Sequence, residues 1–295
     1  MVNVGYRVGP MEDVQELHTE FSPGPSREKS AVQGGAYLLE LSPDWIVLRA
    51  SENIHRLLGE SHVTLIDEPL GRFVHSQALH DLRNNFSRLS GTTGIGRAYG
   101  IRLTNDPDFV DIAFQLNEGR ILFEAVPSVS PFGAKFGTVG GLIAGLADVS
   151  GQALLDGGAR RLRALTGYDR VTMVCDDKRA ESSRGAFSAP ANMSVELPKI
   201  VADADAQAVL LFPRDDADEP ISEALMCSPD GAALAALRAS GVRSSLRVFF
   251  KGDGVVGEFR CESRTECEPS FELHAAAELF AQLFALRLEI DRLRG

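Results

Sequence analysis

The stretch SENIHRLLG, residues 51–59, decides how the first half of the chain folds. Its apolar residues recur at helical spacing, and it begins with Ser51 as a predicted N-cap and ends with Gly59 as a predicted C-cap. The residues before it, AYLLELSPDWIVLRAS (36–51), alternate as two short strands around a Ser-Pro-Asp turn. The stretch therefore predicts a hairpin that leads directly into a helix.

The segments that follow extend this pattern into an α+β domain. Residues 76–91 predict a second helix, with Leu79, Leu82 and Phe86 on one face. Residues 96–104, 108–120 and 120–128 predict three strands, and Asn117-Glu118-Gly119 predicts the hairpin turn between the last two. Strands and helices in this order favour helices packed on one side of an antiparallel sheet. We assign residues 31–130 to this domain and residues 1–30 to a polar N-terminal arm.

A glycine-rich stretch at residues 131–151 is predicted to be a linker, and a second α+β domain is predicted at residues 152–295. Within that domain the sequence predicts helices at 152–165, 230–241 and 270–295. Strands are predicted at 169–177, 206–213, 244–250 and 254–263, the last two joined by a tight turn at 251–254.

Composition excludes several classes of function. The 295 residues carry 30 basic and 41 acidic side chains, a net charge of -11, which opposes direct binding to nucleic acid. No apolar run is long enough to span a membrane and the first residues do not resemble a signal peptide, so we predict a cytoplasmic protein. The four cysteines form no CxxC pair, the histidines of the first half are scattered, and no nucleophile motif is present. These features predict no metal site and no enzymatic activity.

Several of these segments together resemble the PAS and GAF domains of bacteriophytochromes. The resemblance rests on SENIHRLLG with EPLGRFV (68–74) in the first half and on LTGYDRVTMV (165–174) in the second. It extends over about residues 32–290, through VQGGAYLLEL, EGRILFEAVPS, ADADAQAV, SPDGAALAALRASGVRSSLRV and FELHAAAELFAQLFALRLE. It implies a PAS domain followed by a GAF domain, each an antiparallel sheet flanked by helices, with a long C-terminal helix.

The chain departs from this family at the residues that hold the pigment. The family attaches biliverdin through a cysteine that would fall in residues 19–31, where this chain has none. The family's pocket aspartate would fall in the shortened segment FSAPANMSVELP (187–198), its first pocket histidine near Ala233, and its second near Glu262 or Ser263. Burying a bilin cation without a compensating group is costly. The sequence therefore predicts no cofactor, and non-covalent biliverdin is the alternative.

Four residues are candidates for a residual pocket: Cys175, Phe187, Met193 and Cys227. A thiol-based redox sensor that uses Cys175 or Cys227 is a further alternative, against buried and inert thiols. In the family the shortened loop forms a lasso around the N-terminal arm. Here the arm is expected either to thread that lasso or to lie across the second domain.

The C-terminal helix carries a broad apolar stripe. In the family this helix joins a dimer bundle and leads to an output kinase. The resemblance therefore implies a homodimer that signals to a downstream protein or to an output domain such as a histidine kinase. The predicted dimer interface comprises Phe280, Leu283, Phe284, Arg287 and Leu288.

Overall fold

A computed structural model describes residues 30–89, 94–129, 136–214 and 221–294. The predicted N-terminal arm lies outside the described residues except for Ser30, as do residues 131–135 of the predicted linker. The described chain forms two antiparallel sheets with helices packed against them. The predicted mixture of helices and antiparallel strands with a long C-terminal helix is confirmed.

The first sheet has seven strands in the order β1-β10-β3-β2-β6-β5-β4. Their bounds are β1 Ala31–Gln33, β2 Tyr37–Leu41, β3 Val47–Ser51, β4 Gly96–Ile101, β5 Val110–Asn117, β6 Arg120–Pro127 and β10 Ala208–Phe212. Three helices, α1 His55–Leu58, α2 His62–Leu65 and α3 Ser76–Ser87, cover one face around a core that includes Trp45, Phe114 and Phe123. The predicted hairpins and helices of this region are therefore present.

The two residues predicted to cap the first helix, Ser51 and Gly59, differ in whether they cap it in the structure. Gly59 ends α1 with φ of 75°, a conformation that favours glycine. Ser51 makes no capping hydrogen bond. Its hydroxyl oxygen instead accepts a hydrogen bond from the amide of Leu38 at 3.1 Å, across the β2–β3 hairpin. Ser51 therefore stands at the predicted N-cap position, before the 3-10 turn Glu52–Ile54 that leads into α1, but its hydroxyl is used by the hairpin and does not cap the helix.

Strand β10 was expected in the second domain but completes the first sheet, where it pairs with β1 and β3. Gln33 fixes the segments on either side of this strand. Its side-chain amide donates to the carbonyls of Ile200 and Cys227, and its side-chain oxygen accepts from the amide of Ala202 at 2.8 Å. The start of the described chain is thus hydrogen-bonded on both sides by the segment between residues 200 and 228. How residues 1–29 pass this segment lies outside the described residues.

The second sheet has five strands in the order β8-β7-β12-β11-β9. Their bounds are β7 Arg170–Cys175, β8 Lys178–Ser183, β9 Ile200–Val201, β11 Ser244–Gly252 and β12 Val255–Ser263. The helices of this half are α4 Phe136–Ala144, α5 Gly151–Thr166, α6 Gly231–Ala239 and α7 Phe271–Arg294. Helix α4 falls inside the predicted linker, so residues 136–144 of that glycine-rich stretch are helical, and turns follow them before α5 begins. Strands β8 and β9 were not predicted.

Helices α4, α5 and α7 all pack against one face of the second sheet. Their shared core includes Phe250, Phe259, Phe280 and Phe284, and Phe259 and Phe284 have ring centroids 5.3 Å apart. Because successive strand residues point to opposite faces, the apolar residues of β7, β11 and β12 use every second position for this core. The alternate residues of these strands form the opposite face of the second sheet.

Candidate ligand-binding face

The face of the second sheet that points away from its helices is lined with charged side chains. Arg170 lies on β7, Arg247 on β11, and Glu258, Arg260 and Glu262 on β12. Arg170 and Arg260 are each only 1% exposed. Buried arginines at this density need partners for all of their N–H groups. The partners come from two sources: carboxylates on the same sheet and a segment of backbone that covers it.

Two carboxylates on the sheet form ion pairs with three buried arginines. The guanidinium of Arg170 pairs with Glu262 at 2.6 Å, and strand pairing places these residues directly opposite each other. Glu258 is shared, since it pairs with Arg247 at 2.8 Å and with Arg260 at 3.2 Å. The three-residue group around Glu258 therefore carries one excess positive charge.

The remaining N–H groups of these arginines donate to backbone carbonyls of an irregular segment, residues 184–197, which lies across this face. Five arginines donate to eight of its backbone carbonyls. Arg264 donates to residues 184 and 186, Arg170 to 189, Arg179 to 191, Arg260 to 192, 193 and 195, and Arg247 to 197. We call residues 184–197 the covering segment. Neutral carbonyls of the chain itself thus occupy the positions that an external acceptor would take.

Apolar side chains of the covering segment fill the space beneath helix α6. Leu197 packs with Ala233 and Leu237 of that helix, and Phe187 and Val195 lie against the same cluster. The ring of Phe187 is also flanked by Arg170, whose guanidinium carbon is 4.0 Å from the ring centroid, and by Arg264 at 5.2 Å. The segment is therefore held by cation–π contacts and apolar packing as well as by hydrogen bonds.

Burial alters the ionisation of this face. Desolvation lowers the pKa of Arg260, although the neighbouring Glu258 carboxylate favours its charged form. Desolvation raises the pKa of Glu262, and the adjacent Arg170 opposes that shift. Both groups lie in a poorly solvated environment, where the hydrogen bonds that Arg260 and Arg170 donate to the covering segment are strengthened.

Phe187 and Met193, two of the four predicted pocket residues, belong to the covering segment. The two cysteines do not reach this face. Cys175 points to the helix side of the sheet, in the core with Met173, and Cys227 lies in a separate core beside the first sheet. Placing them in the same pocket was wrong, because residues 171, 173 and 175 of β7 share the helix-facing side.

His274 is a buried polar residue that the sequence analysis missed. It is 1% exposed, and its Nδ1 accepts a hydrogen bond from Arg97 of β4 at 2.9 Å. Since arginine can only donate, the ring is neutral, and its Nε2 donates to the carbonyl of Arg247 at 3.2 Å. Burial lowers the pKa of His274 well below its usual range. The residue links the first sheet to the strand that carries Arg247.

The predicted dimer residues lie largely inside the chain's own core. Phe280, Phe284 and Leu288 are buried against the second sheet, and Leu283 is half-buried at the edge of that core. Arg287 donates to the carbonyls of Leu146, Ala147 and Val149 in the connection between α4 and α5. The sequence prediction chose this face because its stripe is wide and aromatic, as the inner face of a helix usually is.

The described ranges can be searched for metal-binding groups and membrane-spanning helices. Within them no three histidine, cysteine or acidic side chains come together as a group that could hold a metal ion. No helix there is long and apolar enough to cross a bilayer. Of the five scattered histidines of the first half, His55, His75 and His80 are exposed, His62 is half-buried, and His18 lies outside the described residues.

Comparison with solved structures identifies the architecture. The chromophore-binding domain of a Stigmatella aurantiaca bacteriophytochrome, a point mutant in the Pr state, superposes with a TM-score of 0.74 at 23% identity, covering 90% of this chain and 98% of that one. The chromophore-binding domain of an unusual bacteriophytochrome from R. palustris gives 0.70 at 19% identity, covering 92% and 99%. The fold is that of a phytochrome chromophore-binding domain.

At these identities the likeness establishes the fold alone. The longer photosensory core module of Stigmatella aurantiaca phytochrome gives a TM-score of 0.73 at 22% identity, and this chain covers 60% of it. No family model and no curated protein matches the sequence.

Within this phytochrome-like fold, the places where the family's pocket groups would fall come together. Residues 187–197 of the covering segment and Ala233 share one apolar cluster, and Glu262 pairs with Arg170, which donates to the carbonyl of Ala189. The positions that the sequence resemblance relates to the family's pocket therefore lie close together in this structure. It did not indicate the buried arginines that fill it.

Proposed function

We propose that this chain is a phytochrome-like sensory and signal-transduction module, a PAS domain followed by a GAF domain, that works without a covalently bound bilin. It has no catalytic role of its own in this proposal. It acts in the cytoplasm as a dimeric regulatory or scaffold input to an output domain or partner, such as a histidine kinase.

The covering segment is the observation that carries this proposal. Eight of its carbonyls rest on five arginines, and its apolar side chains pack beneath α6 in the region where the family resemblance places the pigment. A bilin could enter only if these contacts broke. Their loss would leave several buried guanidinium groups without acceptors, which is costly.

Thiol chemistry gives no support to covalent attachment. No cysteine precedes Cys175, which is buried on the helix side of the sheet, where desolvation raises its pKa. Burial raises the pKa of Cys227 to about 12. Thiolates are the reactive species, so both thiols are poor nucleophiles near neutral pH. The same facts weigh against the redox-sensor alternative.

The proposal includes dimerisation through α7, but the interface uses other residues than those predicted from the sequence. Leu279, Leu286, Ile290 and Leu293 are exposed on the side away from the core, and half-buried Leu283 lies between them. These five residues follow alternating steps of four and three, the heptad spacing of a two-helix seam, with leucines at the d positions. The occupant that this pattern fits best is the same helix of a second copy.

Titration of the purified chain with biliverdin in the dark tests the loss of pigment binding. The proposal predicts that the visible spectrum stays the sum of free biliverdin and protein, with no far-red fluorescence. A bilin-binding phytochrome domain is the positive control. A saturable red shift would contradict the proposal and favour the non-covalent photoreceptor.

A further inference from the structure

A cavity of about 400 Å³ opens in the half of the chain that forms the first sheet. The residues that line it belong neither to the covering segment nor to α7. Its floor is apolar, since it includes Leu103 and Val110, which are buried, and Tyr37 and Leu57, which are half-buried. At its rim the side chain of Phe109 is 54% exposed. The volume lies within the range of small-molecule sites, about 300–1,000 Å³.

Four polar side chains surround this floor and are not used by the fold. They are the guanidinium of Arg56, the carboxylate of Asp108 and the hydroxyls of Tyr37 and Ser128. Among the residues that the structure describes, none of these four groups makes a hydrogen bond or an ion pair. Unused polar groups that converge on an apolar cavity are typical of a site that binds a small ligand.

The cavity presents charges of both signs. Arg56 comes from α1, and Asp108 comes from the loop that connects β4 to β5. Asp106 also lines the cavity, but its carboxylate accepts a hydrogen bond from the amide of Asp108 at 3.2 Å, and its backbone carbonyl accepts from Arg102 Nε at 3.0 Å. The loop is therefore held by its own contacts. Among the described lining residues, Arg56 remains as a free cation and Asp108 as a free anion.

We propose that this cavity binds a free α-amino acid with a large apolar side chain. Arg56 pairs with the α-carboxylate and Asp108 with the α-ammonium group, while the ligand side chain covers Leu57 and Phe109. A ligand with only one charge leaves either Arg56 or Asp108 without a partner, so the two charges select a zwitterion. The apolar floor selects against amino acids with a small or polar side chain. The inference goes beyond the proposed function because it adds a small molecule that the first half of the chain recognises.

Isothermal titration calorimetry of the full chain with L-phenylalanine tests this site. We expect saturable binding of L-phenylalanine. Three analogues each lack one of the recognised groups: phenethylamine lacks the carboxylate, 3-phenylpropionate lacks the ammonium group, and glycine lacks the apolar side chain. Each analogue should bind at least about tenfold more weakly, because the group that it lacks leaves its partner in the cavity unused.

Two substitutions assign the charges of the ligand to their partners. Arg56→Gln should weaken the binding of L-phenylalanine about tenfold and leave that of phenethylamine unchanged, because phenethylamine has no carboxylate. Asp108→Asn should weaken L-phenylalanine equally and leave 3-phenylpropionate unchanged. Arg88→Gln, which removes an exposed arginine outside the cavity, is the matched control and leaves the affinity for every probe unchanged. All three side chains are exposed, so these changes should leave the fold intact.

Absence of saturable binding of L-phenylalanine overturns the proposal. Equal affinity for L-phenylalanine, phenethylamine and 3-phenylpropionate also overturns it, because it would show apolar binding without recognition of charge. The same holds if Arg56→Gln binds every probe as Arg88→Gln does. None of these outcomes depends on whether the chain binds a bilin or forms a dimer, so the result is independent of the proposed function.

Discussion

Arg260 shows how much of the second sheet depends on one side chain. It is buried at the centre of the charged face and donates to Glu258 and to the carbonyls of Asn192 and Val195. Removing one partner of a buried ionic network leaves the others unsatisfied, which costs more than the interaction itself contributes. The covering segment and the sheet therefore lose stability together when this residue is lost.

Arg260→Ala should lower the free energy of unfolding by about 3–5 kcal/mol, because it removes one of the two arginines that pair with Glu258 and the donor of three covering-segment carbonyls. Urea denaturation followed by far-UV circular dichroism measures this. Arg238→Ala on α6, an exposed arginine, is the control and should stay within about 0.5 kcal/mol of the wild type. A loss below about 1 kcal/mol for Arg260→Ala would mean that the covering segment does not depend on the arginine face.

Glu124 gives a prediction about pH. It is fully buried and accepts from the amides of Leu225 and Met226 at 2.8 Å each, and burial raises its pKa. The folded state therefore keeps the proton to higher pH than the unfolded state does, and the stability contributed by this group falls as pH rises from the ordinary glutamate range through the raised pKa.

Glu124→Gln cannot ionise, so the variant should not share that decline. Urea unfolding at a series of pH values should show the wild type losing stability relative to Glu124→Gln as pH rises through this window. Glu196→Gln, an exposed glutamate in the covering segment, is the control and should track the wild type. A constant difference between wild type and Glu124→Gln would show that Glu124 does not titrate differently in the folded state.

At the level of elements, α7 has two faces with different partners. Its inner face packs Phe280 and Phe284 into the second sheet, and its outer face exposes Leu279, Leu286 and Ile290. An exposed heptad row on a folded domain is typical of a helix that pairs with another helix.

Leu286→Asp should weaken self-association at least a hundredfold, about 3 kcal/mol, because it places a charge at the centre of the seam. Light scattering after size-exclusion chromatography should show a dimer for the wild type and a monomer for the variant. Leu116→Asp replaces another exposed leucine, outside α7, and should remain dimeric. A monomeric wild type, or a dimer that survives Leu286→Asp, would contradict the assignment of this seam.

Arg287 anchors α7 to the connection between α4 and α5, since it donates to three carbonyls there. Arg287→Ala should therefore cost about 3 kcal/mol of stability and speed hydrogen exchange in residues 145–151. The oligomeric state should not change, in contrast to Leu286→Asp. Unchanged exchange in this connection would show that Arg287 does not hold it.

Elements with a local signal could be predicted from the sequence. Hairpins such as β5–β6, with their turn at Asn117-Glu118-Gly119, follow from strand alternation and turn residues. Strand β10 could be recognised as a strand, but its place in the first sheet depends on pairing with β1 and β3, which lie far earlier in the chain. No local pattern carries that information.

The same distinction holds for the candidate site. The positions of residues 187–198, Ala233 and Glu262 could be related through a family resemblance, and they do converge. The alternation of Glu258, Arg260 and Glu262 along β12 was a readable signal of a charged face. The partners of these arginines could not be predicted, because they are backbone carbonyls of the covering segment. Every residue has a carbonyl, so such acceptors leave no pattern of residue types in the sequence.

At the scale of the whole molecule, polar contacts join the first sheet to α7 and to one strand of the second sheet. Arg97 of the first sheet contacts His274 and Glu278 of α7, and His274 contacts the strand that carries Arg247. Arg247 stands next to both groups of contacts, since its backbone carbonyl accepts from His274 and its side chain donates to the carbonyl of Leu197. We propose that the chain transmits signals while its own covering segment fills the region where the family resemblance places the pigment.

The most direct test is an absorption spectrum of the chain purified after co-expression with an enzyme that makes biliverdin, recorded before and after red illumination. The account predicts a featureless red region in both spectra, with a bilin-binding phytochrome domain expressed in parallel as the positive control. A red band that shifts on illumination would contradict the claim, since it would require the covering segment to give way to a functional pigment.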